Sequence, residues 1–487
     1  MTKRPVLVTG ATGYIGGRLV PVLLERGYAV RCLVRDRNRV KGREWEDRVE
    51  IAIGDVLKPE TLPPAMAGCG AAYYLVHSME AGEGEFARRD LEAAQGFSRA
   101  ADEAGLERII YLGGLGRRTD QPSAHLSSRH QVGQALRSGR VPATELRAAM
   151  IIGSGSASFE MMRALVKRLP VMICPKWVKN RTQPIAVRNV LDYLVGCLEH
   201  PETAGQVYDI GGPEILSYKD MMLRFAGILG KRRWILVVPV LTPRLSAYWA
   251  NLVTPVPASL AFPLIEGLRS ETICEENRIR DLIPTRLLGF DEAVNLALER
   301  IREKRVQTRW TNARGTVPAA ARGHFDPARF AIIDQQRVST PASVEEVFQR
   351  VRRIGGDVGW YCADLLWEIR GWIDRLIGGV GLRRGRRDPD RLVVGEALDF
   401  WRVEDFVEGE RLLLRAEMKV PGEAWLEFRV QNRAEQGSEL IQTAYFDPYP
   451  FWGHVYWYLL YPVHWLIFRG MARRIARGAR PASRRNA

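Results

Sequence analysis

Between Val6 and Val20 the chain reads VLVTGATGYIGGRLV, and the fold of its first half follows from how this stretch must be arranged. An apolar run makes a strand, a glycine-rich turn follows, and GRLV begins a helix. Gly10, Gly13 and Gly16 fall at three places that tolerate no side chain: the sharp bend after the strand, the point where backbone approaches a pyrophosphate, and the contact of helix with strand. The helix N-terminus then offers free N–H groups and a partial positive charge to phosphate. Thr12, Tyr14 and Ile15 complete the predicted cradle.

Working outward, the next strand ends in RCLVRDRN, Arg31 to Asn38. A carboxylate there would accept from the ribose 2′-hydroxyl of NAD(H), whereas Arg35 offers its charge to a 2′-phosphate. The reading therefore favours NADP(H) over NAD(H); the alternative leaves Arg35 in solvent and gives the ribose to Asp36. After the third strand, Asp55 stands where a carboxylate accepts from the adenine amino group, with Val56 beside it. Short apolar runs alternate with amphipathic helices as far as about residue 215, which predicts a doubly wound parallel sheet in an α/β domain. Residues 216–300 are more helical and form a predicted substrate side. Within them Trp234 to Leu268 is apolar, broken by five prolines and Arg244, and reads as a greasy lid over the cleft. The polar, glycine-bearing RVQTRWTNARGTVPAAARGHF, Arg305 to Phe325, marks the domain boundary. The expected division is 1–305, a linker at 306–329, a second domain at 330–480 and a basic tail at 481–487.

TGATGYIG (Thr9–Gly16), the GDV at 54–56, QPIAVRNV (Gln183–Val190) and YDIGGPEILSY (Tyr208–Tyr218) together resemble the atypical and extended short-chain dehydrogenase/reductases, near the nitrogen-regulator-like and isoflavone-reductase-like proteins. The resemblance covers residues 5 to about 300 and implies a Rossmann domain that binds NAD(P). It also implies a Tyr-x-x-x-Lys helix, which supplies a proton donor and a lysine, and a serine on the preceding strand end. Here Gly114 stands in the serine's region, and SAHLSSRHQV (Ser123–Val132) puts His125 and Arg129 at the tyrosine and lysine positions. A forked, permanently charged Arg129 can still bind ribose hydroxyls, and His125 can donate a proton near neutrality. The bland reading gives His125 no role. His77, with Ser78, follows the fourth strand in YYLVHSM (Tyr73–Met79). In a doubly wound sheet that places both at the cofactor cleft, with His77 a second candidate donor or simply a packing residue.

A new texture begins at RVSTPASVEEVFQRVRRIGG, Arg337 to Gly356, where Ser343 and Glu346 form a capping box. LDFWRVEDFV, ERLLLRAEMKV, EAWLEFRVQN and SELIQTAYFD alternate as consecutive antiparallel strands, and the chain closes on an aromatic helix. This order resembles the α+β helix-grip fold of START-like lipid-transfer and polyketide-cyclase proteins, and the fusion resembles a bacterial two-domain family. The resemblance implies an apolar cavity, for which Trp401, Trp425, Phe428, Tyr445, Trp457 and Trp465 are candidate walls; core packing alone also explains them.

The net charge of +15 is carried by arginine without interleaved aromatics or a recognisable nucleic-acid motif. Nucleic acid is not expected as a partner; a solvated basic face or anionic lipid is. Six scattered cysteines make neither a disulfide frame nor a metal site. The chain opens directly on a strand, which leaves no room for a signal peptide. Phe451 to Phe468 carries no formal charge over 18 residues and is followed by seven arginines. Gly453 and Pro462 argue against a spanning helix, leaving a buried helix or one lying on a membrane surface. The expectation is a cytoplasmic NADP(H)-dependent oxidoreductase, in peripheral contact with the inner membrane face if that helix is superficial, acting on an apolar small molecule or lipid. The alternative is a non-catalytic NADP(H)-binding sensor.

Overall fold

The computed structural model describes residues 4–76, 85–116, 124–238, 242–303, 305–313, 325–327, 330–382, 386–388, 390–433, 437–449 and 451–478. The chain divides into two compact units, one of Met1–Arg37 with Glu44–Arg314 and one of Asn38–Arg43 with Gly315–Ala487.

The first unit is built on strands β1 (Val6–Thr9), β2 (Val30–Val34), β3 (Glu50–Ile53), β4 (Ala71–Tyr74), β5 (Arg108–Gly114), β6 (Ala143–Ala148) and β7 (Val207–Ile210). They form one sheet in the order β7-β6-β5-β4-β1-β2-β3, every pairing parallel. Helices α1 (Gly16–Glu25), α2 (Glu85–Glu103) and α3 (Ala124–Arg137) connect them. Both faces are covered, so the central strands read as apolar runs without alternation: Leu7, Val8, Ile109, Ile110 and Leu146 are wholly buried. The order reverses on either side of β1, which opens a crevice beyond the C-terminal ends of β1 and β4. This is the doubly wound α/β arrangement expected from the sequence.

The first unit keeps more chain than expected. Val306, Thr308, Trp310 and Thr311, assigned above to a linker, are all buried in it. Trp310 N donates to Gly155 O at 2.8 Å. The polar composition of this segment misled because its hydroxyls serve buried partners rather than water.

In the second unit β8 (Ile332–Thr340), β9 (Ala397–Leu398), β10 (Trp401–Val407), β11 (Arg411–Ala416), β12 (Gly422–Asn432) and β13 (Ser438–Pro448) make an antiparallel sheet in the order β8-β13-β12-β11-β10-β9. Ser343 and Glu346 form the expected capping box at the head of a helix over Val344–Arg352. Two longer helices, Asp364–Leu376 and Trp452–Arg477, follow later in the chain. Strand, helices, sheet and long closing helix thus occur in the order read from the sequence.

The aromatic side chains do not line one cavity. A period of two sends neighbours on β12 to opposite faces. Leu426, Phe428 and Val430 join Trp401, Phe400, Phe348 and Trp360 in the main core. Trp425 instead pairs with Tyr445 on the other face and packs with Phe330. Trp457 stacks on Phe446 at 5.3 Å between ring centroids, while Trp465 is 38% exposed. Core packing accounts for the buried ones.

Charged pairs sit inside this unit, Arg402 with Glu417 among them. Arg402, only 2% exposed, meets Glu417 through Nε at 2.9 Å and Nη2 at 3.1 Å, and its Nη1 donates to Gly395 O at 2.7 Å. Removing one partner strands the other charge in the interior. Arg402→Met is expected to destabilise the second unit by about 3–5 kcal/mol, more than Glu417→Gln, which keeps an acceptor. Urea unfolding of the full chain checks this, and an unchanged midpoint for Arg402→Met contradicts it.

Candidate nucleotide and substrate site

The turn between β1 and α1 is shaped by missing side chains. Gly10 has φ +68°, a left-handed conformation, and a Cβ there would lie 2.6 Å from Leu75 O. A Cβ on Gly16 would overlap the carbonyl of Gly10. Gly13 N closes the turn on Gly10 O at 2.8 Å. The start of α1 is therefore pressed against the strand end, with its free N–H groups over the crevice. Such a cradle fits a dinucleotide pyrophosphate.

Tyr14 does not point its hydroxyl into that cradle. The hydroxyl is buried beside Gly153, and burial pushes it up to about 12 against the pull of Arg18. Arg18 lies 4.9 Å over the Tyr14 ring, donates from Nε to Thr308 Oγ1 at 2.9 Å and from Nη2 to Ser154 O at 2.7 Å. Thr308 Oγ1 donates in turn to Tyr14 O at 2.8 Å. A buried arginine thus ties the turn to the last segment of the unit. Sequence reading missed Arg18 because helical spacing alone does not reveal a partner some 290 residues away.

Of the other predicted cofactor residues, Arg35 is exposed just beyond β2 and Asp36 is half-buried. Asp55 Oδ1 accepts from Leu57 N at 3.1 Å, and Val56 is buried in the core beneath the sheet. Only its backbone is free to meet a nucleotide. His77 and Ser78 lie outside the described residues.

His125 and Arg129 are one turn apart on α3 and both line a cavity of about 600 Å³. Helix α3 is held to the sheet by Glu145, which is buried and meets Arg137 Nε at 3.2 Å. The Tyr111 hydroxyl donates to Arg129 O at 3.2 Å, and burial raises that phenol to about 12. Gly114 also lines the cavity. A Cβ there would come within 2.9 Å of Leu126 Cδ2, the end of a flexible side chain that can turn aside, so the glycine's consequence is the missing hydroxyl.

The cavity reaches Ile15 of the glycine turn at one end. Its walls are mostly apolar, with Met161, Met162 and Trp177 among them. Helices over Pro243–Val253 and Ala258–Gly267, inside the stretch read as a lid, contribute Leu245, Trp249 and Leu264. No Asp, Glu or Lys is among the lining residues. Hydroxyl residues that were missed include Tyr218 and Thr272, which also line the cavity; burial raises the Tyr218 phenol against the pull of Thr182 and Thr272. The signal for Tyr218 was present in Ser217 and Asp220, whose capping box fixes the start of its helix.

Residues 10–151 match the family described as NAD(P)H-binding, and residues 327–471 match one described as Protein of unknown function (DUF2867). A UDP-glucose 4-epimerase of Vibrio cholerae is 24% identical over 262 residues, 49% of this chain and 79% of that protein. A ceramide reductase of Caulobacter vibrioides (strain NA1000 / CB15N) is 30% identical over 189 residues, 38% of this chain and 57% of that protein. A dihydroflavonol 4-reductase of Hordeum vulgare is 32% identical over 126 residues, 23% of this chain and 36% of that protein. The solved triphenylmethane reductase of Citrobacter sp. shares the fold, with TM-score 0.50 and 19% identity over 61% of this chain and 99% of that one. Residues 10–151 thus carry an NAD(P)H-binding match, and the parallel sheet of the first unit has the Rossmann arrangement.

Gly10→Ala should strain the turn and crowd Leu75, lowering dinucleotide affinity at least about tenfold. Calorimetric titration with NADPH and NADH checks this against a thermal melt of the same variant. Wild-type affinity would detach the turn from the pyrophosphate.

Proposed function

We propose that the protein is an NADP(H)-dependent oxidoreductase whose substrate is an apolar small molecule or lipid carrying one reactive carbonyl-like group. One observation carries this reading: a single cavity joins the glycine turn at Ile15 to His125 and Arg129 of α3, and its remaining walls are apolar. Gly10, Gly13 and Gly16 form the pyrophosphate cradle, and Arg35 supplies charge to a 2′-phosphate. Bound NADPH would supply the hydride. Arg129 holds ribose hydroxyls, and His125, one turn away, gives the proton to the developing oxyanion. Both polar groups at this end are donors. The absence of a carboxylate among the described lining residues disfavours a cationic substrate and suits an oxygen that gains negative charge. His77 with Ser78 remains the second candidate donor pair. The apolar body of the substrate is assigned to this cavity rather than to the second unit, where Trp360, Phe400 and Phe428 fill the space between sheet and helices.

A second reading has its own support. Gly114 supplies no hydroxyl where a serine orients the carbonyl in the short-chain enzymes, which favours a sensor that binds NADP(H) without turnover. NADPH oxidation across a panel of long-chain aldehydes, ketones and enones separates the two. His125→Ala should lose most of the rate and its pH dependence near neutrality, and Arg129→Ala should raise the KM for cofactor. Tight NADPH binding with no turnover on any member of the panel would select the sensor.

The cofactor assignment has a separate check. Arg35→Asp should weaken NADPH by about 10- to 100-fold and leave NADH nearly unchanged, because only the 2′-phosphate loses its partner and meets a like charge. Equal weakening of both nucleotides would return the ribose to Asp36.

A further inference from the structure

Two helices of the second unit carry their apolar residues on the wrong side for a core. In the helix Asp364–Leu376, here α4, the side facing the protein holds Gly371, Asp374 and Arg375 beside Trp367. Its opposite stripe, Leu365, Leu366, Ile369, Trp372, Ile373 and Leu376, is exposed, with Leu365 and Leu376 each at 68%. The spacing is that of one continuous helical face. A helix designed only to pack inward would be built the other way round.

The closing helix Trp452–Arg477, here α5, is apolar on both faces over its first four turns. Gly453, Trp457, Ile467 and Phe468 turn inward, where Gly453 abuts Pro421 and Pro448. Trp452, Val455, Leu459, Val463 and Leu466 form the outward stripe, flanked by Tyr458 and Trp465. This two-sidedness explains the uncharged run from Phe451 to Phe468.

The two helices are neighbours and run antiparallel. Near one end Arg474 Nη1 donates to Tyr361 O at 2.8 Å. Midway, burial and then Arg370 hold the His464 imidazole down at about 4. At the other end Arg370 Nη2 donates to Lys419 O at 2.8 Å, Asp374 Oδ1 accepts from Lys419 N at 2.7 Å, and Tyr449 N donates to Pro421 O at 3.0 Å. The turn between β11 and β12 thus links the end of α4 to the start of α5.

We propose that these exposed stripes are a docking surface for an anionic lipid bilayer, on which the second unit lies without spanning it. Three observations select this occupant. From Tyr449 to Ala487 the sequence has seven arginines and no Asp or Glu, a charge that complements anionic headgroups. An isologous pairing of two copies would add those seven to seven more with no carboxylate of that segment in return. Exposed Trp372, Trp452, Tyr458 and Trp465 are residues that settle at the headgroup boundary, and Arg469 lies 4.7 Å over the Trp465 ring. Among the described residues no helix is long and apolar enough to cross a membrane. Glu368 is the exposed acid of α4 and sits on the flank of its stripe.

The test uses the full chain with phosphatidylcholine vesicles, prepared with and without phosphatidylglycerol, read by flotation and by tryptophan quenching with brominated lipid. The expected result is flotation with phosphatidylglycerol vesicles and quenching of the exposed tryptophans. The double variant Leu459→Asp/Leu466→Asp should lower partitioning at least about tenfold with an unchanged thermal melt, since both side chains are exposed. Arg473→Glu/Arg477→Glu should lower the preference for phosphatidylglycerol. Failure of the wild-type chain to float with either vesicle would overturn the proposal, and equal flotation with both would remove its anionic part. Light scattering supplies the remaining outcome: a wild-type dimer that the leucine variant turns to monomer would make this face a contact between copies instead.

Discussion

Two missing Cβ atoms, at Gly10 and Gly16, set the geometry on which the first unit depends. Because a side chain at Gly16 would occupy the carbonyl of Gly10, helix α1 can begin directly on the end of β1. That contact fixes the helix axis and aims its first N–H groups over the crevice. It also decides what lies near by. Ile15, one residue earlier, reaches the cavity, and Arg18, two residues later, reaches Ser154 and Thr308. A longer turn would still bend the chain, but nucleotide, cavity and buried arginine would no longer share one frame.

The parts of this arrangement that depend on local pattern were legible in the sequence. Apolar runs at strand length gave the parallel sheet, the glycine spacing gave the turn, and Ser343 with Glu346 gave a helix start. What the sequence concealed depends on contacts between distant segments. Trp425 and Phe428 lie three residues apart on one strand, yet the odd spacing puts them on opposite faces, and only the partner strands tell which face is the core. Thr308 and Trp310 look like linker because their partners, Arg18 and Gly155, are far away along the chain. His125 and Arg129 lie one helical turn apart, as the Tyr-x-x-x-Lys spacing implied, while Tyr218, at the close of a family-like segment, and Thr272 reach the same cavity from far along the chain, which local pattern does not show.

The cavity and the outer faces of the second unit use similar residues for opposite ends. In the cavity, methionine and tryptophan side chains share the walls with His125, Arg129 and a few hydroxyls. On the closing helix, tryptophan, tyrosine and leucine face outward and the basic residues follow in the last turns. Composition cannot tell these uses apart, since 46% of the chain is hydrophobic in either case. Burial of the backbone neighbours does, because a helix with Asp374 and Arg375 inside must have its leucines outside.

The bond from Arg18 to Thr308 also orders events during synthesis. A chain leaving the ribosome presents its glycine turn first, but the partner that satisfies Arg18 emerges only after almost 300 further residues. Until then a guanidinium destined for the interior has one carbonyl to bind and an open side toward solvent. The last sheet strand, at Val207–Ile210, is made about 100 residues before that partner. The segment around Trp310 thus completes the surroundings of Arg18 only at the end of the first unit's chain.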